Sequence, residues 1–313
     1  MRIYSSSLEL LQNPPQNTAP LHMTVGNFDG LHRGHQALLQ MARAEKVRHG
    51  GLLAVYSFDP HPQVLFKAPG EHTYLEKRSV WRERLANSGV DILIEEKFTK
   101  EFSQLSAEEF LERHWARELN LKSLTVGSDF RFGRNRQGEQ KLLESWSQER
   151  GLIFHAVPPV IFEGERVSTS RIKALLREGQ VLQVQNLLGR PFSIKGEVQK
   201  GDQRGRTLGF PTLNLVEESA SLLRRGVYVA SVNHKAKSFL AVTNVGVRPT
   251  LHQSSQVVVE SHLLGTSLEE FYGQIIEVQF QDFLRDEKKF SGLEELRQQI
   301  QVDIHKAQEK KKS

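Results

Sequence analysis

The chain has 313 residues, a formal charge of +5 and no cysteine, with 38% hydrophobic and 25% charged residues. That length and balance fit two globular domains of roughly 150 residues each, and they exclude disulfides, thiolate chemistry and cysteine metal sites. No run approaches the roughly 18 uninterrupted apolar residues of a membrane span, and Met1 to Pro20 is polar and proline-bearing where a secretion signal would be apolar. A cytoplasmic protein with no membrane partner is expected. The positive charge suits polyphosphate substrates. Lys310-Lys311-Lys312 reads as a solvated tail, and no basic patch is interleaved with aromatics as single-strand binding requires. Nucleic acid is therefore not an expected partner.

In chain order, Leu21 to Val25 reads as a buried strand that runs into Gly26-Asn27-Phe28-Asp29-Gly30-Leu31-His32-Arg33-Gly34-His35-Gln36. An amphipathic helix follows through Ala37, Leu38, Leu39, Met41 and Ala42. The three glycines permit φ > 0, and the helix start offers unpaired N–H groups and a positive dipole end to a phosphate. His32 and His35, three residues apart, share one face if the helix begins near Leu31. Gly51 to Phe58 is a second strand, ended by Asp59-Pro60-His61-Pro62. Arg78 to Ser88 reads helical, Asp91 to Ile94 as a short strand, and Ser106-Ala107-Glu108-Glu109 as a capping box opening a helix to about Leu119. Strand Ser123 to Val126, a helix from about Glu139, and strand Leu152 to Val157 complete the alternation. This pattern specifies a parallel sheet with helices on both faces. Loops 26–36, 58–62 and 127–133 all follow strands and so are expected on one rim, where such sheets bind ligands.

Val167-Ser168-Thr169-Ser170-Arg171-Ile172-Lys173 opens a helix over Ile172 to Glu178, and Val181 to Leu188 forms another, stopped by Gly189-Arg190-Pro191. Beyond it the period changes. Phe192 to Val198, Phe210 to Val216, Gly226 to Val232, Ser238 to Thr243, Val257 to Leu264 and Ile275 to Phe280 read as antiparallel strands of a small barrel. A last helix, Leu293 to about Gln308, is expected to pack on the barrel through Leu293, Leu296, Ile300 and Ile304. The stretch from Gly201 to Asn214 is either a hairpin loop with a basic tip or a glycine-rich phosphate loop, followed by a hydroxyl and an amide able to meet magnesium and phosphate. Thr243 to Thr250 reads as a tight turn before a strand. Glu260 is a carboxylate inside a strand, with His262 on the same face by period two.

Taken together, GNFDGLHRGHQ, SFDPHP, VGSDFRFG, VSTSRIK, the 201–214 loop and the Glu260 strand resemble prokaryotic bifunctional riboflavin kinase/FAD synthetases, over roughly residues 20 to 309. The resemblance implies a Rossmann-like nucleotidyltransferase domain over 1–185, which makes FAD from FMN and ATP. It implies a riboflavin kinase β-barrel domain over 186–313, which makes FMN from riboflavin and ATP. In the first, His32 and His35 are implied as catalytic, Gly26, Phe28, Asp29, Gly30, Arg166, Thr169, Ser170 and Lys173 as ATP-binding, and Pro60, Pro62, Phe66, Asp129 and Phe132 as FMN-binding. Ser170 and Lys173 depart from the threonine and arginine usual in the ISSTxxR element. Lysine keeps the charge without the planar fork, and Arg166 and Arg171 stand ready to compensate. In the second, Gly201, Gly205, Arg206, Gly209, Thr212, Asn214 and Arg285 are implied at the ATP and flavin site, with Thr212 and Asn214 on Mg2+. Glu260 is implied as the group that takes the proton from the ribityl hydroxyl. Leu213 and Gly265 stand where alanine and aspartate are usual. A monomer or weak homo-oligomer acting on small molecules is expected. A kinase with an impaired adenylyltransferase half, or a non-catalytic flavin- or RNA-binding regulator, are the alternatives.

Overall fold

The structure, a computed structural model, describes residues 1–15, 19–66, 74–115, 119–199, 209–248, 256–266, 268 and 271–312. By its contacts the chain forms two compact units, Met1–His72 with Trp81–Val167, and Thr73–Val80 with Ser168–Ser313.

In the first unit, strands β1 (Arg2–Tyr4), β2 (Leu21–Val25), β3 (Leu52–Asp59), β4 (Ile92–Lys97), β5 (Leu121–Gly127) and β6 (Ile153–Val157) form one sheet in the order β1-β4-β3-β2-β5-β6. Every pairing is parallel. The central strands β2, β3, β4 and β5 are buried on both faces, which is why they read as continuous apolar runs. Phe28, Leu31, Leu38, Leu39, Val55, Leu93, Trp81 and Leu85 pack on one face, under helices Arg33–His49 and Arg78–Asn87. Met23, Tyr56, Ile94, Phe110, Trp115 and Trp146 pack on the other. Chain order reverses on either side of β2, so the loop after β2 opens at the sheet's topological switch point.

The expected capping box is present at Ser106 and Glu109. The helix it opens differs from expectation: Ala107–Phe110 is α-helical, and Leu111–Trp115 widens into a π turn. That turn buries Trp115 and sets His114 Nδ1 3.4 Å from Glu96 Oε2. Glu96 also accepts from Ser7 N–H and Oγ and from Tyr56 Oη, all within 2.9 Å. Burial alone would raise the Glu96 carboxyl, but these bonds and His114 hold it below the usual carboxylate range. The hairpin of β7 (Ile161–Phe162) and β8 (Glu165–Arg166) is an element the periodicity does not announce.

In the second unit, β9 (Phe192–Glu197), β10 (Leu213–Val216), β11 (Gly226–His234), β12 (Lys237–Arg248), β13 (Gln256–Leu263) and β14 (Ile275–Arg285) are antiparallel in the order β10-β13-β12-β11-β14-β9. A bridge between Gln199 and Asn214 nearly closes the barrel. Residues 243–248 continue β12 and are not a turn before a strand. The helix Val181–Leu188 packs on β14 and β9, which carries the contact boundary to 167/168, ahead of the expected 185/186.

In the terminal helix, Leu293–Lys312, the expected stripe holds at Ile304, which packs on the barrel, with Leu296 and Ile300 half-buried, and fails at Leu293, which is 69% exposed. The helix's buried centre is Ala307, against Val227, Val229 and Val242, beside the fully buried Asp303. Arg285 grips Asp303 with its guanidinium fork, Nη2 to Oδ2 at 2.7 Å and Nε to both oxygens at 3.0–3.1 Å. A buried charge is tolerated in a packed face only when paired in this way.

Candidate active sites

The loop after β2 is shaped by close approach more than by glycine freedom. Of its three glycines only Gly30 takes a left-handed conformation (φ 71°); Phe28 (φ 53°) and Leu31 (φ 42°) carry the rest. Such residues cost of order 1–3 kcal/mol each, and they persist where surroundings impose them. Here Trp81 Nε1 donates to Phe28 O at 3.1 Å, and Gly26 N–H to Tyr56 O at 3.1 Å. Gly34 serves by lacking a side chain, since a Cβ there would lie 3.1 Å from the His32 ring.

His32 is the N-cap of helix Arg33–His49, its Nδ1 accepting the His35 N–H at 3.3 Å. The helix therefore starts two residues later than expected, and the histidines still converge. Their rings stack with centroids 3.6 Å apart and 15° between planes. Because Nδ1 accepts, the neutral His32 ring carries its proton on Nε2. His35 Nδ1 and Asn27 Oδ1 are buried without a hydrogen-bond partner among the described residues. Orphaned polar atoms of this kind mark a place where something polar is meant to bind.

Burial, with Arg166 nearby, holds the His32 imidazole down to about 4, and burial beside His32 and Arg166 pushes His35 well below the usual range. Both are neutral at pH 7, as two stacked rings require. Since the unfolded ring titrates near 6.5, this stabilising contribution is complete above that pH and is lost as pH falls towards 4. In equilibrium unfolding, the stability lost between pH 7 and pH 4 should be smaller by about 3 kcal/mol in His32→Asn than in wild type. Equal losses in the two proteins would contradict the depressed ring.

Asp129, after β5, and Arg166, on β8, meet in an ion pair at 2.5 Å, each about half exposed. One cation thus pairs with the loop after β5 and acts electrostatically on the histidine pair. Phe66 is 68% exposed at the end of helix Pro62–Phe66, beside a cleft of about 320 Å³ that Leu65, Lys100 and Gln104 help to line. Phe132 is 7% exposed and lies in the core against Phe110 and Phe130, so its ring supports the loop from beneath. Pro60 and Pro62 follow β3 on the same rim.

In the second unit, helix Thr169–Arg177 begins three residues before the expected start and is capped by Ser168 Oγ on Arg171 N–H at 3.2 Å. Thr169 and Ser170 therefore sit in its first turn, with Lys173 one turn on. On the barrel, Glu260 lies directly across from Asn214 on one side and from Asn244 on the other. His262 Nδ1 donates to Pro211 O at 2.9 Å and meets the Phe210 ring edge-on, fixing the chain just before Thr212. Gly209 is left-handed (φ 85°). Arg285 is committed to Asp303, so its fork serves the terminal helix. Gly201, Gly205 and Arg206 lie outside the described residues. Asn244 was legible only as part of a turn; asparagine and glycine are poor strand formers, and their presence inside β12 is the signal that marks it.

Stacked histidines at a helix amino end on a parallel-sheet switch point, and a strand carboxylate on an antiparallel barrel, are an arrangement that suits transferases using nucleotides. Residues 14–171 match the FAD synthetase family and residues 188–311 the riboflavin kinase family. The chain is 36% identical over 303 residues to the bifunctional riboflavin kinase/FMN adenylyltransferase of Escherichia coli K12, covering 96% of this chain and 95% of that one. The enzyme of the same name from Haemophilus influenzae is 34% identical, covering 91% and 92%. A crystal structure of a Streptococcus pneumoniae protein described as a macrolide-efflux protein superimposes with TM-score 0.85 at 25% identity over 98% of both chains. Among the described residues no helix is long and apolar enough to cross a membrane. The chain belongs to the family of bifunctional riboflavin kinase/FMN adenylyltransferases.

Proposed function

We propose that the two reactions of the family are divided between the sites as follows. At the His32–His35 site, an FMN phosphate oxygen attacks the α-phosphorus of ATP in line. The bond to the β-phosphate oxygen breaks as the new one forms, giving FAD and pyrophosphate. His32 donates its Nε2–H to the charge developing on the transferring group, and the helix amino end adds its N–H groups. Phe66, Pro60 and Pro62 supply flat apolar surface for the isoalloxazine, with Asp129 as its polar contact. Thr169, Ser170 and Lys173 are suited to the triphosphate. The stacked pair at the helix amino end, with the His32 proton on Nε2, carries this reading.

At the barrel, the ribityl 5′-hydroxyl of riboflavin gives its proton to Glu260 while its oxygen attacks the γ-phosphorus of ATP. The bond to the ADP oxygen breaks, FMN and ADP leave, and Glu260 returns the proton to solvent. Asn214 Nδ2 is turned towards Thr212 O at 3.4 Å, so the amide oxygen and the Thr212 hydroxyl are hard donors that fit magnesium. Magnesium would arrive on the nucleotide phosphates, with Thr212 and Asn214 completing its oxygen ligands. Bound there, Mg2+ would supply neutralisation of phosphate charge.

The test is chromatography of a reaction containing riboflavin, ATP and magnesium. FMN should appear first, FAD after a lag, with pyrophosphate equal to FAD. ATP consumption without FMN, or FMN that never advances to FAD, would overturn one half or the other.

A further inference from the structure

Gly246 lies inside β12, where a glycine weakens the strand unless something uses the space its side chain would fill. A Cβ built on it would lie 2.6 Å from Glu287 Oε1 and 3.1 Å from Asn244 Nδ2. A carboxylate from the segment after β14 therefore rests directly on this strand, beside an amide. Asn244 is two residues from Gly246, on the same face, and is the cross-strand partner of Glu260. Directly opposed residues hold their Cβ atoms about 4.5–5.5 Å apart. The Asn244 amide nitrogen and the Glu287 carboxylate thus both border the Cβ position of Gly246, with Glu260 across the strand, and a primary amide has two N–H donors to offer.

We propose that Glu287 is a positioning residue for the kinase reaction: it holds the Asn244 amide towards Glu260, and residue 246 is glycine so that the Glu287 carboxylate can reach it. This rests on the reading of Glu260 as the group that takes the hydroxyl proton. With Asn244 opposed to Glu260 on one side and Asn214 on the other, a Glu287 that orients Asn244 sets one of the two amides that flank the Glu260 carboxylate. Arg285, two residues before Glu287, does not compete for this carboxylate because its fork is on Asp303. The cationic neighbours Lys288 and Lys289 are exposed. A solvated acid lying on a glycine by chance would behave differently in each experiment below.

The experiment uses the full-length chain and measures FMN formation from riboflavin and ATP. FAD formation from supplied FMN reports that the first unit is intact. Glu287→Gln keeps the shape and removes the charge; kcat for FMN formation should fall about tenfold, with KM for riboflavin and for ATP within about twofold. Gly246→Ala, which displaces the carboxylate, should lower kcat by a similar factor in the wild-type background and by nothing further in Glu287→Ala. Wild-type kcat in Glu287→Gln would overturn the proposal. So would a raised KM at unchanged kcat, or additive effects of the two substitutions. Should Glu260→Gln itself retain full kcat, the reading of Glu260 fails first, and that outcome is separate from any behaviour of Glu287.

Discussion

His32→Asn is expected to lower FAD formation about 100-fold or more, with FMN formation from riboflavin unchanged. Asparagine is among the best N-cap residues, so it can replace the capping role that Nδ1 performs for the His35 N–H. What it lacks is the Nε2–H on the far side of the ring. The substitution therefore separates the cap from the donor, which alanine would not. FAD and pyrophosphate are measured with FMN supplied, and a thermal melt on the same sample shows whether the helix start survived. FAD formation within a few-fold of wild type would mean that the donor has no part in the transfer.

Glu260→Gln is expected to do the reverse, lowering FMN formation by about 10²–10⁴ and leaving FAD formation from FMN intact. Glutamine preserves size and can still meet Asn214 and Asn244 across the strands, so the barrel should melt as before. It cannot accept a proton at neutral pH. Loss of both activities in this variant would contradict the assignment of one reaction to each unit.

The architecture was legible in sequence where burial and period agree. Continuous apolar strands alternating with helices specified the parallel sheet, and six short β-rich runs specified the barrel. What stayed hidden depends on contacts between distant residues. β1 is three residues long and mostly exposed, and its neighbour helix Ser7–Gln12 is held by Glu96, far along the chain. The terminal helix buries a charge, Asp303, beside the apolar stripe, because its partner Arg285 lies on another element. In the histidine loop the residue types were right and the backbone was not. Positive φ fell on Phe28 and Leu31 because Trp81 clamps the loop from a helix some fifty residues on. Asp129 and Arg166, assigned separately to flavin and nucleotide, prove to be partners of each other.

Thr73–Val80 packs with the barrel-bearing unit, Leu75 buried and Glu76 paired with Arg190 at 3.4 Å. The second unit's complement of residues is thus encoded in two places, either side of strands β4, β5 and β6. A recombination that moved the second half alone would leave behind the segment that carries Leu75 and the Glu76 partner of Arg190.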